Sequence, residues 1–230
     1  MRRAGDLINE YLREGRLSAN RSQPIGAGGY GTVYQSDVPG NVIKDIRQDY
    51  IGLNGSLVEE EANLQAIAAE LGLAPRVAGV EKFRGGVGNR IEMQDMRPTH
   101  YSKGSNARQF PTGLDAVRVN QQLGHLALKG VDLQDRHTGN ILYNNMTNRP
   151  TQLDFGRAAR VDGEDQVAAL ANATEAGFTA AGLGDVAQIY SATVYDLLAG
   201  GQVAEAMDVA KQGFSRLQKI KSISRPSSPA

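Results

Sequence analysis

Residues Lys129–Gly156 read KGVDLQDRHTGNILYNNMTNRPTQLDFG. Asp135 is followed five positions later by Asn140, in DRHTGNIL. The polar stretch Asn144–Pro150 then leads to Leu153-Asp154-Phe155-Gly156. Ile141-Leu142 predicts a short strand after a loop. The polar turn and Gln152-Leu153 predict the returning strand of a hairpin, which carries Asp154 back beside Asn140. Phosphoryl transfer needs one carboxylate beside the attacking group. It also needs oxygen ligands for the metal ions that neutralise a triphosphate. Asp135 suits the first task, and Asn140 and Asp154 suit the second.

D-x-x-x-x-N-I-L followed by D-F-G resembles the catalytic-loop and metal-loop pair of the protein-kinase-like superfamily. A second motif lies near the N-terminus, IGAGGYGTVY at Ile25–Tyr34. Gly26, Gly28 and Gly31 form G-x-G-x-x-G, and Val33 extends it. In a dinucleotide fold such glycines open a helix. Here β-branched and aromatic residues follow, then a turn at Ser36–Gly40 and the run Asn41–Lys44, which predicts a hairpin. Glycines at its first turn let the backbone of Gly26, Ala27, Gly28, Gly29, Tyr30 and Gly31 approach a triphosphate closely. This resembles the phosphate-covering loop of kinases. The resemblance implies that Lys44 holds the α- and β-phosphates of ATP and needs an acidic partner. Leu57–Leu73 predicts a helix with Leu64, Ile67, Ala68 and Leu71 on one face, opened by Glu59-Glu60-Glu61. Glu60, four before Leu64, is the expected partner of Lys44, with Glu61 the second choice.

The bulk composition is compatible with this and narrows it. The 230 residues suit one domain, or two lobes sharing one cleft. Lys+Arg and Asp+Glu both number 25, so no global field favours nucleic acid or a membrane surface. There is no Cys, which excludes disulfides and thiolate metal sites. His100, His125 and His137 are scattered. The basic start Met1-Arg2-Arg3 lacks the apolar core of a cleavable secretory signal, and no run approaches a membrane span.

Elsewhere the pattern predicts a short helix around Leu7–Leu12, strands at Val77–Phe83 and Arg90–Met93 around a Gly85-Gly86 turn, and helices at Leu114–Leu128, Val167–Asn172 and Ala204–Ile220. Gln94-Asp95-Met96 is the expected connector to a second lobe. Its backbone would bind an adenine edge, with Met93, Gln94 and Met96 near the ring. Gly184–Gly200 loosely resembles the buried central helix of protein kinases. The expected fold class is α+β, a minimal bilobal kinase-like fold. Residues 1–22 form an arm or secretion segment, and 23–95 a small antiparallel sheet with one helix. Residues 96–221 form a mainly helical lobe, and the Ser/Pro-rich 222–230 a disordered tail.

Departures from ordinary protein kinases are informative. Leu133-Gln134 stands where they carry His-Arg before the catalytic Asp, the segment after Gly156 is short, and no A-P-E follows. Together these imply activity without activation-loop phosphorylation. His137 replaces the usual Lys two after Asp135 and is placed to touch the γ-phosphate. The chain thus resembles compact effector kinases that pathogenic bacteria inject into hosts by type III secretion, including a family that phosphorylates the host ninety-kilodalton heat-shock chaperone. That resemblance implies an ATP- and Mg²⁺-dependent Ser/Thr kinase. Asp135, Lys44, Glu60 and His137 are its catalytic set, and Asn140 and Asp154 its metal ligands. It further implies a monomer acting on a host protein, delivered to the host cytoplasm without a signal peptide or, alternatively, resident in the bacterial cytoplasm. D-x-H-x-G-N-I-L also resembles small-molecule and phosphoinositide kinases. A nucleotide-binding pseudokinase that acts by docking is the third reading.

Overall fold

The computed structural model describes residues 12–13, 17, 19–28, 31–47, 58–81, 89–103, 109–135 and 137–220. Gly29, Tyr30, the turn at Gly85-Gly86, most of the expected N-terminal helix and the tail 222–230 lie outside them. The fold is mixed α+β, as expected. Contacts between residues divide the chain into two units. One is Met1–Ala107 with Gln134–Ala158, and the other is Arg108–Leu133 with Ala159–Ala230. Residues 134–158, which the sequence places with the helical lobe, therefore group with the sheet.

In the first unit the strands are β1 (Leu12–Arg13), β2 (Ala19–Ala27), β3 (Gly31–Ser36), β4 (Asn41–Ile46), β5 (Val77–Glu81) and β6 (Arg90–Gln94), ordered β1-β5-β6-β4-β3-β2. All neighbours pair antiparallel except β1, which runs parallel to β5. Leu12 is thus in a strand rather than a helix, and β2 begins inside the expected N-terminal arm. Register places Val33 opposite Lys44, and Lys44 opposite Ile91. The glycine-rich motif forms the β2–β3 hairpin, not the start of a helix. Gly31 is required there, because a Cβ would sit 2.5 Å from the Asp45 carbonyl oxygen. The β3–β4 turn closes at Gly40, whose φ of +81° is natural only for glycine.

Helix α1 (Val58–Glu70) covers one face of this sheet. Val58, Ala62 and Ala66 share a core with Val42, Ile46, Val77, Val80, Ile91 and Met93. After β7 (His100–Tyr101) and the 134–140 loop, β9 (Ile141–Asn144) and β10 (Pro150–Gln152) form the expected hairpin, with Ile141 opposite Gln152. β7 joins its other edge. The Gln152 N–H donates to the Leu73 carbonyl at 2.7 Å, tying the hairpin to the turn that ends α1.

The second unit holds α2 (Gly113–Leu128), β8 (Val131–Leu133), α3 (Gly163–Ala180), α4 (Gly184–Ala199) and α5 (Val203–Gln218), with β11 (Ala158–Arg160) running into it. The sequence marks Gly184–Gly200 as the buried central helix, and here the structure differs. α3 is deeply buried, with Val167, Leu170, Ala171 and Thr174 fully enclosed. α4 buries only Ala187, Tyr190 and Val194 and leaves Ile189 70% exposed. α3 also runs well beyond the expected 167–172, because its alanine-rich flanks propagate a helix readily. Among the described residues, no helix is long and apolar enough to cross a membrane.

Glycines let the helices of this unit approach closely. A Cβ on Gly213 of α5 would enter the ring of Tyr190, and one on Gly124 of α2 the ring of Phe214. Tyr190 is buried and its hydroxyl donates to the Ala210 carbonyl, so the ring has little room to retreat. Gly213→Ala gains helix propensity of up to about 1 kcal/mol. It should nevertheless lose about 1–2 kcal/mol net through overpacking. Chemical denaturation of the two proteins checks this, and a more stable variant would refute the packing described.

Candidate active site

Every described residue assigned to the site from sequence belongs to the first unit, so the site can be built within it. Lys44 lies on β4 between Ile43 and Asp45. Strand alternation points its side chain to the same face as Val42. That face lines a cavity of about 310 Å³, within the range of small-molecule sites. The cavity wall includes Gly26, Ala27, Gly28, Gly31 and Val33 from the glycine hairpin. It also includes Met93, Gln94 and Met96 around the end of β6, and Asn140 and Asp154 from the catalytic stretch. Gly28 donates its N–H to the Gly31 carbonyl at 2.9 Å, and a Cβ on Gly28 would meet nothing within 4 Å. The Gly28 N–H is thus taken up in the turn, and its Cα is uncrowded on the side a Cβ would occupy.

The centre of the site is Lys44. Its Nζ donates to Glu61 Oε1 at 2.5 Å and to Asp154 Oδ1 at 2.6 Å. The expectation of Glu60 is corrected: Glu60 is exposed and Glu61 is buried. Successive helical residues turn by about 100°. The inward face of α1 is set by Glu61, Leu64, Gln65 and Ala68, all buried, and Glu60 falls to its outer side. The apolar set Leu64, Ile67, Ala68 and Leu71 points toward the Glu60 side of this face because Gln65, a polar residue, takes part in the buried side. Burial works against charge on Lys44, but Glu61 and Asp154 outweigh it and hold the ammonium above the usual lysine range. Burial pushes the Glu61 carboxyl up, Lys44 pulls it back, and the Asp154 charge adds to the rise.

Asp154 follows β10 with φ of +56°, a left-handed conformation unusual outside glycine. Such strain, of order 1–3 kcal/mol, is retained where the surroundings fix it. The ion pair to Lys44 and the Gly156 N–H, which donates to Oδ1 at 3.3 Å, do so here. Asn140 ends the 3₁₀ turn Thr138–Asn140. Its Nδ2 donates to the Asp135 carbonyl at 3.2 Å, while its own carbonyl accepts from the Leu153 N–H at 2.7 Å. Asn140 and Asp154 are thereby held side by side, as the hairpin predicts. His137 caps the turn, with Nδ1 accepting from the Gly139 N–H at 3.1 Å. In the neutral ring this puts the proton on Nε2, which lies 3.5 Å from Asp135 Oδ1. His137 therefore faces the candidate base.

Two groups lining the cavity were not singled out from sequence. Gln65, one helical turn after Glu61, is 1% exposed. Arg97 donates to Asp95 Oδ2 at 2.7 Å and to Gln35 Oε1 at 2.6 Å, bracing the connector against β3. A polar residue four positions after the paired glutamate was the available signal for Gln65. No comparable signal marks Arg97.

Among the described residues, no cluster of three His, Cys, Asp or Glu forms a protein-only metal cage. Mg²⁺ shared with a nucleotide asks less: one or two carboxylates, with phosphates and water completing its shell. Asp154 and Asn140, both on the cavity wall, fit that demand. No protein-family model matches the chain, and no curated protein matches it significantly.

The Lys44 arrangement has a sign that can be checked. With both acids ionised, the buried set carries one cation against two anions. Because the folded pKa of Glu61 is raised, its contribution to stability is full at low pH and is lost as pH rises through that value. Glu61→Gln should therefore leave stability at neutral pH unchanged or raise it by about 1 kcal/mol. Lys44→Met instead leaves two carboxylates facing each other without a cation and should cost about 3–5 kcal/mol. That loss should shrink on mild acidification, as the Glu61 carboxyl, already pushed up by burial, takes up a proton. Urea unfolding of both variants at neutral and mildly acidic pH checks the pair of outcomes.

Proposed function

We propose that the protein is an ATP-dependent phosphotransferase, a compact kinase that transfers the γ-phosphate to a Ser/Thr hydroxyl of a protein. One observation carries the reading. A buried lysine is bridged between a helical glutamate and the aspartate of D-F-G, on the wall of a cavity that also includes a glycine-rich hairpin and Asn140.

Lys44, oriented by Glu61, would grip the α- and β-phosphates as a fixed charge that reorganises little during reaction. The backbone N–H groups of the β2–β3 hairpin would cover them. Asn140 and Asp154 would hold Mg²⁺, which neutralises charge on the transferring phosphoryl group. Asp135 would align the acceptor hydroxyl and take its proton. The protonated Nε2 of His137, 3.5 Å from the Asp135 carboxylate, would steady that carboxylate rather than act as a separate base. Ile25, Leu142 and Leu153, which also line the cavity, would sandwich an apolar purine face, with the Gln94–Met96 backbone at its edge. Rate enhancement would come from positioning and charge neutralisation.

The absence of an A-P-E sequence and the start of α3 at Gly163, seven residues after Gly156, leave little chain for a phosphorylated activation segment. This supports activity without such a modification. The resemblance to secreted effector kinases makes a host protein the proposed substrate, a chaperone being one case. His137 beside Asp135 is the observation that favours a second reading, a small-molecule or phosphoinositide kinase.

Radiolabelled ATP with Mg²⁺ separates these. Wild type should label a protein in a eukaryotic lysate. Asp154→Ala should lose the label altogether, and Asp135→Asn should reduce it by about 10²–10⁴-fold while still binding nucleotide. Label on phosphoinositide alone would support the second reading. Tight ATP binding with no transfer to any acceptor would indicate a pseudokinase, and full activity in Asp154→Ala would overturn the assignment.

A further inference from the structure

The amide of Gln65 is a buried polar group that the chemistry above does not use. Gln65 sits one turn after Glu61, on the same face of α1, and is 1% exposed. Its Nε2 donates to the Pro75 carbonyl at 3.0 Å and approaches Met93 Sδ at 3.5 Å. Both partners belong to the frame that α1 packs against. Pro75 lies in the turn leading to β5. That turn is held at Leu73 by the Gln152 N–H and at Arg76 by the Gln94 N–H, which donates to the Arg76 carbonyl at 2.9 Å. Gln152 in turn lies two residues before Asp154. One short segment, 73–76, thus receives hydrogen bonds from α1, from β6 and from the strand that delivers Asp154.

Apolar packing is one constraint on the rotation of α1. Against the sheet core it offers Val58, Ala62 and Ala66, and Leu64, Ile67 and Ala68 are buried as well. Buried polar groups add a second, directional constraint. A turn of the helix that withdrew Glu61 from Lys44 would also pull Gln65 from Pro75, leaving a buried amide and a buried carbonyl unpaired.

Building on the kinase reading, we propose that Gln65 is a positioning residue that latches helix α1 to the 73–76 turn and so keeps Glu61 on Lys44 without any activating partner or modification. The latch replaces external regulation with a fixed internal contact: the site is assembled whenever the first unit is folded.

The test is Gln65→Leu, of similar volume but without the amide, made alone and in a Glu61→Gln background. Two readouts are followed, the kcat/KM for ATP and hydrogen–deuterium exchange of the 58–70 amides. Loss of the latch should lower kcat/KM by about tenfold, the scale of one buried hydrogen bond. It should speed exchange in 58–70 and leave α2–α5 unchanged. In the Glu61→Gln background the same substitution should change kcat/KM by less than about twofold, because the group being positioned is gone. A purely structural role would instead give equal losses in both backgrounds, or faster exchange throughout the chain. Either result overturns the proposal, as does an unchanged Gln65→Leu. Gln65→Met, which keeps the length without the donor, should behave as Gln65→Leu does. If wild type transfers no phosphate, the kinase reading fails, and selective exchange in 58–70 still decides whether the latch exists.

Discussion

The site depends on one buried cation held by two carboxylates. A lysine on a strand is ordinarily an edge residue reaching for water, yet Lys44 is 7% exposed. It can be buried only because Glu61 and Asp154 supply charge in place of solvent. The converse also holds. Asp154 is kept in a left-handed conformation, and Glu61 at the foot of a helix, by the ammonium between them. Removing the cation therefore strands both acids, whereas neutralising one acid relieves an excess of negative charge. An arrangement that is electrostatically incomplete by itself is well suited to accept a polyanion together with its metal.

The rest of the first unit sets the three groups in place. β4 sets the height of Lys44, through pairing with β3 on one side and β6 on the other. α1 sets Glu61. The β9–β10 hairpin returns the chain so that Asp154 follows Gln152, whose N–H is anchored on the turn closing α1. α1 and the β9–β10 hairpin both bond to the Leu73–Arg76 turn, and so does β6, the strand that pairs with β4. This cross-bracing adds directional constraints to the apolar packing of α1.

Much of this was legible in the sequence, for reasons that can be named. Alternating apolar residues and turn residues announced the β3–β4 and β9–β10 hairpins, and the hairpin geometry alone put Asp154 beside Asn140. The choice between Glu60 and Glu61 was not legible in the same way. Adjacent helical positions differ by a rotation that apolar periodicity resolves poorly, and Gln65 disguised the buried face by being polar. The buried helix of the second unit is hard to read from sequence for a related reason. Gly184–Gly200 carries more large apolar residues, but several of them face outward. The alanines of Gly163–Ala180 give a weaker pattern yet permit closer packing.

Whether this site takes a metal-bound nucleotide is tested by calorimetric titration of ATP into the wild-type protein with and without Mg²⁺, repeated with Asp154→Asn. Saturable binding at one site, strengthened by Mg²⁺, is expected for the wild type, with that strengthening lost in the variant. Absence of ATP binding, or binding with the same Mg²⁺ dependence in both proteins, would contradict the assignment of this site.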